Sequence, residues 1–151
     1  MKNTDMNIEK TKEKISEKDK LKNKYNLKLD SIKQHYGVEF TIDYFKDNNI
    51  NKIRFYNLEY KGTIKNISMV YDNKNRNIDF ICYDYSKESD ANKINDRTMI
   101  NSINRDKKIK LVIAEVERLN NEYRLELDKI DKKYSEENIK ELEIQKNTKN
   151  E

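Results

Sequence analysis

Eight positions towards the C-terminus recur with spacings of 4, 3, 4, 3, 4, 3 and 4: Ile109, Ile113, Val116, Asn120, Tyr123, Leu127, Ile130 and Tyr134. An unbroken heptad seam with one polar member commits this stretch to a helix packed lengthwise on another helix. At 1.5 Å per residue the seam is roughly 39 Å long, whereas an eight-residue strand reaches only about 26 Å. The helix should therefore overhang any small sheet it covers.

The partner helix is legible upstream. Tyr25, Leu29, Ile32 and Tyr36 follow spacings of 4, 3 and 4, and Gly37 stands where a residue free to take positive φ ends a helix. Ser16-Glu17-Lys18-Asp19 has capping-box spacing, which places the start near 16. The spacing predicts a helix over 16–36, preceded by a flexible basic arm over 1–15, where apolar residues are sparse.

Between the helical flanks the period changes to two. Val38, Phe40 and Ile42 alternate with Glu39, Thr41 and Asp43, and strands are expected over 38–45, 52–60, 63–71 and 78–85. Asp47-Asn48-Asn49 and the run 72–77 supply turn chemistry, and Lys61-Gly62 reads as a two-residue hairpin turn. Residues 86–104 are polar and broken up, with a short helical turn at Met99, Ile100 and Ile103. Arg105, Lys107, Lys108 and Lys110 oppose the dipole at a helix start, so the last helix, over about 105–134, is expected to begin upstream, near Asp96 or Ser102. Residues 135–151 form a weakly ordered charged tail. Four meandering strands end where they began, so the two helices should be antiparallel. The fold class is α+β, a four-stranded antiparallel meander flanked by an N-terminal and a long C-terminal helix, within a single domain over 16–134.

A two-residue turn at Lys61-Gly62 fixes which side chains share a face. One face then holds Tyr56, Leu58, Tyr60, Ile67, Met69, Tyr71, Ile78, Phe80 and Cys82. The other holds Ile53, Phe55, Ile64, Val70, Ile81, Tyr83 and Tyr85, too apolar for a face left bare to water. Phe55, Ile64, Ile81, Tyr83 and Tyr85 are accordingly the candidate partner-binding residues, and tyrosine suits a protein interface because it gives contact area at low entropy cost.

Composition narrows the function classes. Charged residues make up 40% of the chain, and Leu, Ile, Val and Phe supply 35 of 151 residues, just above the level at which disorder prevails. Lys outnumbers Arg 26 to 6 and Asn occurs 21 times, a bias expected of an A+T-rich genome. The net charge of +4 sits wholly in residues 1–28. A basic domain wrapped around nucleic acid is therefore disfavoured, while Lys10, Lys12, Lys14 and Lys18 are candidates for sequence-independent contact with nucleic-acid phosphates. A single cysteine, Cys82, and a single histidine, His35, leave no intrachain disulfide, no thiolate zinc site and no histidine-dependent triad. Cys82 alternates with Ile78 and Phe80 as core, and His35 suits an exposed last helical turn.

Glu59-Tyr60-Lys61, with Asp43 on the preceding strand, is the one pattern able to hold Mg²⁺ as restriction-type nucleases do. Similar acid-x-Lys spacing recurs at Asp72, Asp106 and Asp131, so the nuclease reading is remote. No nucleotide-binding, zinc or calcium motif is present, no cofactor is expected, and no apolar run is long enough to cross a bilayer. A cytoplasmic, non-enzymatic chain follows. Small, lysine- and asparagine-rich and motif-free, it resembles accessory proteins of phages and plasmids, inhibitors of host defence among them. The expectation is a binding protein that occupies a surface of a macromolecular partner, with self-association and accessory nucleic-acid binding as alternatives.

Overall fold

The computed structural model describes residues 2–61, 64–83, 92–93 and 97–149, with side-chain surroundings for 7–61, 66–79, 81 and 97–135. The elements are helix α1 (Lys2–Tyr36), strands β1 (Glu39–Phe45), β2 (Asn49–Tyr60), β3 (Ile64–Asp72), β4 (Asn77–Tyr83) and β5 (Asn92–Lys93), and helices α2 (Arg97–Asn104) and α3 (Lys107–Lys149). The strands form one antiparallel sheet in the order β1-β2-β3-β4-β5, four of them the expected meander. Among the described residues no helix is long and apolar enough to cross a membrane.

The chain divides into two compact units, Lys28–Asn120 and the pairing of Met1–Leu27 with Asn121–Glu151. In the first, a sheet unit, Phe40, Ile53, Phe55, Ile67, Met69, Tyr71 and Ile81 are buried on the strands. They are joined by Leu29 and Ile32 of α1, Met99 and Ile103 of α2, and Ile109, Val112, Ile113, Val116 and Leu119 of α3. Tyr36 Oη donates to Glu115 Oε1 at 3.0 Å, which brings the end of α1 beside α3 and raises the tyrosine pKa by favouring its protonated form.

The second unit is a pair of antiparallel helical segments. Tyr25 stacks on Tyr123 at 4.5 Å between ring centroids, inclined by 8°. Further along, Lys18 and Lys14 meet Asp131 at 2.7 and 3.2 Å, and Lys133 meets Glu17 at 2.8 Å. The residue numbers fall on one helix as they rise on the other.

The helix bounds and the sheet register differ from expectation: α3 continues to Lys149, through most of the stretch expected as a weakly ordered tail. α1 runs straight through Ser16, because strong helix formers without Gly or Pro sustain it and α3 supplies counter-charges. A break does separate α2 from α3, and Asp106 caps the latter: its Oδ1 accepts from the backbone N–H of Lys108 and Ile109 at 2.8 and 3.3 Å. A carboxylate at the cap supplies the negative charge that Lys107 and Lys108 lack.

The register corrects the two-faced sheet. A two-residue turn would set Phe55 opposite Ser68; instead Tyr60 faces Ile64 across residues 61–63, and Phe55 faces Met69. The register also breaks near Asn57 and Asn66, which take φ values of 55° and 59°. Asn tolerates this left-handed conformation better than most residues do. A slip of one residue exchanges the faces, so Ile53 and Phe55 join Ile67, Met69 and Tyr71 in one core; Ile81 joins them because β4 sets it opposite Met69, past an irregularity between Val70 and Tyr71. The opposite face carries charge beside Val70: Arg54 meets Asp43 and Lys52 meets Asp79, both at 2.8 Å, and Thr41 shares a hydrogen bond with Tyr56.

Candidate functional site

The described concavity best suited to holding something apolar is a cleft of about 230 Å³ in the sheet unit. The β3–β4 hairpin supplies Met69 and Ile78, the end of α2 supplies Ile103, and the first turns of α3 supply Ile109, Ile113 and Ala114. Alternation along the strands and the i, i+4 spacing of Ile109 and Ile113 turn these apolar groups to one place. The hairpin turn is fixed locally, since Asp72 Oδ1 accepts from the backbone N–H of Lys74 and Asn75 at 3.0 and 3.2 Å. Those bonds hold the Asp72 carboxyl below the usual carboxylate range.

Charge lies at the rim. Arg76, from the turn, and Lys110 and Glu117, from α3, all line the cleft. Arg76 Nη2 lies 3.5 Å from Glu117 Oε2, a long and exposed contact. The other oxygen, Glu117 Oε1, is buried without a hydrogen-bond partner. Burial first, and the Glu117 charge second, push the Tyr71 hydroxyl pKa up. Tyr71 thus remains a neutral hydrogen-bonding group at the cleft wall over the physiological range.

A second hollow, of about 310 Å³, lies near Gly37, Leu58, Glu59 and Asp106. Two of the acids there have structural work. Asp106 caps α3, and Glu39 Oε2 accepts from the bulged Asn57 at 2.7 Å.

The sequence candidates scatter. Phe55 is 0% exposed and Ile81 6%, so neither can offer a surface to a partner, because the registers of β3 with β2 and with β4 turn both inward. Ile64 and Tyr83 are on paired strands, opposite Tyr60 and Ile67 respectively; their side chains, like that of Cys82, lie outside the described residues, as does the whole of Tyr85. Lys14 and Lys18 are both turned onto Asp131, Lys10 is half-buried, and Lys12 is exposed. Lys14 and Lys18 are therefore engaged within the chain.

Asp43 faces Lys52 across the β1–β2 ladder, whereas Glu59 lies seven residues further along β2, roughly 20 Å away. One ion cannot span that distance. His35 is exposed and edge-on to Tyr36 at 4.7 Å. Asn120, the polar member of the seam, is 3% exposed, and its Nδ2 donates to the Asn48 carbonyl at 3.2 Å. It fixes the β1–β2 turn.

Sequence reasoning passed over Lys110, Ala114 and Glu117. They recur at spacings of 4 and 3 beside the heptad seam, a second stripe visible only when α3 is read for more than its apolar positions. Compared with protein-family models, with curated proteins and with solved structures, the chain matches none.

Proposed function

We propose that the protein is a non-catalytic binding protein, an inhibitor or accessory factor that occupies a surface of a protein partner through its sheet unit. The observation that supports this is the apolar cleft between the β3–β4 hairpin and the start of α3. At about 230 Å³ it falls below the roughly 300–1,000 Å³ of sites for cofactors and drug-sized ligands. It is the right size for one anchoring side chain, which is how interface hot spots are commonly built. The mixed charges at its rim suit a polar interface border better than a nucleic-acid backbone, which calls for a cationic surface.

Ala114 is exposed on α3 and lines the cleft, so Ala114→Arg should plug it without disturbing the fold. Immobilised full-length chain is expected to retain a protein from native-host lysate that Ala114→Arg loses while keeping wild-type circular dichroism. Retention of no protein above background, or of nucleic acid alone, would defeat the reading.

A further inference from the structure

The two edges of the sheet are unequal. β4 is covered by the two-residue β5, whereas β1, at the other end, pairs among the described residues only with β2. Edge strands invite another strand, and proteins usually blunt them with Lys, Pro, a bulge or short length. β1 reads Glu-Phe-Thr-Ile-Asp-Tyr-Phe, with neither Lys nor Pro. Its register with β2 is unbroken from Glu39 to Asp43, and the irregularity comes only between Asp43 and Tyr44.

The side chains on this edge define what could join it. Phe40 is buried, and the residues alternating with it, Glu39, Thr41 and Asp43, belong to the opposite, charge-bearing face. Glu39 and Asp43 are the only charges on β1, and both are negative; one oxygen of each is engaged within the sheet, Glu39 Oε2 by Asn57 at 2.7 Å and Asp43 Oδ2 by Arg54 at 2.8 Å. On the Phe40 side the row continues through half-buried Ile42 to Tyr44, which is 42% exposed, as apolar surface that an added strand would cover.

We propose that β1 is a strand-addition site for an extended protein segment whose residues alternate basic and apolar, the basic row beside Glu39 and Asp43 and the apolar row beside Ile42 and Tyr44. Backbone hydrogen bonds supply affinity in this mode and the alternating side chains supply selectivity. A second copy of the chain fits badly. Antiparallel self-pairing about Thr41 sets Glu39 opposite Asp43, and like charges facing one another across strands are destabilising. The inference rests on the protein-binding reading and names the kind of segment bound.

The test uses the full chain and three capped hexapeptides: Lys-Val repeated three times, Glu-Val repeated three times, and the Lys-Val peptide with alternate amides N-methylated. Amide spectra and hydrogen exchange are followed residue by residue. The Lys-Val peptide should shift and protect amides in 39–45, bind at least tenfold tighter than the Glu-Val peptide, and weaken with salt. N-methylation should abolish binding, and Glu39→Lys should weaken it at least threefold.

Several outcomes would overturn the proposal: no response in β1 at millimolar peptide, equal binding of the Lys and Glu peptides, or protection of β1 that rises with protein concentration alone. Ala114→Arg separates the two readings. If the peptide fails but Ala114→Arg still loses the captured protein, the edge is excluded and the binding protein stands.

Discussion

α3 is buried in two different ways along its length. In the sheet unit Ile109, Val112, Ile113, Val116 and Leu119 are all buried, a broad apolar stripe. In the helix pair, among the described residues of α3, only Tyr123 and Tyr134 are buried; Leu127 and Ile130 are half-exposed, and ion pairs hold much of the remaining contact. A stripe of a hundred degrees or more belongs to a helix lying on a layered core, and the narrow a/d seam to a helix facing one other helix. Heptad spacing is common to both regions. The width of the stripe, and not its period, tells which partner the helix meets.

The largest expected difference between the units follows from this. Phe55 is fully buried and its ring lies 6.0 Å from that of Phe40, so Phe55→Ala should cost about 3–5 kcal/mol, through lost transfer energy and an unfilled cavity. Urea unfolding followed by hydrogen exchange should show β2 and β3 amides losing protection first, with those of residues 14–25 less affected. Equal loss in both places would mean that they unfold as one cooperative block, and the comparison would reduce to static packing.

A smaller effect sharpens the boundary on α3. Asn120 is the last buried polar group in the sheet unit, and its amide satisfies the Asn48 carbonyl in a turn where Asp47 and Asn48 both have positive φ. Asn120→Ala removes the donor and strands the acceptor, at a cost of about 1–3 kcal/mol. Exchange at 46–49 should quicken more than exchange in β3. If it does not, the side chain serves helix packing alone.

These residues also mark how far the sequence could be read. Strand positions, the Gly37 stop and the antiparallel helices were legible because period and turn chemistry report local preference directly. The sheet register was not. It depends on the three-residue connection that already sets Tyr60 opposite Ile64, where Lys61-Gly62 alone reads as a two-residue turn; the breaks near Asn57 and Asn66 then offset one another before Phe55 meets Met69, and with 21 asparagines in the chain nothing singles out those two. The error propagated, because a slip of one residue turned Phe55 from core into a docking face, and a second, at the irregularity between Val70 and Tyr71 in the β3–β4 pairing, did the same to Ile81. The cleft was hidden for another reason. Ala114 and Glu117 matter through what α2 and the β3–β4 hairpin bring beside them, and that is a property of packing that no spacing within α3 reveals. A direct probe is Asn66→Val, which forces a β-branched residue towards φ of 59° and should cost about 1–2 kcal/mol. A neutral outcome in thermal unfolding would mean that the bulge relaxes.

The smallest effect tests the ionic half of the comparison. Lys18, chiefly, and Lys14 hold the Asp131 carboxyl below its usual value of 3.8, and Lys133 does the same for Glu17 relative to 4.5. A depressed pKa in the folded chain stabilises folding above the unfolded value, near pH 4, and that contribution fades as pH falls through the lower folded one. Acid should therefore loosen the helix pair. It should also loosen the β3–β4 turn, because Asp72 is depressed too, but there the chief cause is the backbone N–H of Asn75, and the charge of Lys52 comes last. Salt separates the two. At 1 M the screening length falls to about 3 Å, which weakens pairs between exposed side chains and spares hydrogen bonds to the backbone. Asp131→Asn should cost about 1 kcal/mol or less at neutral pH, as expected of surface pairs, and should remove most of the salt dependence of helicity in the pair. If wild type and Asp131→Asn lose helical circular dichroism along the same pH and salt curves, the lysine–aspartate contacts contribute nothing, and the thin seam around Tyr25 and Tyr123 holds the pair by itself.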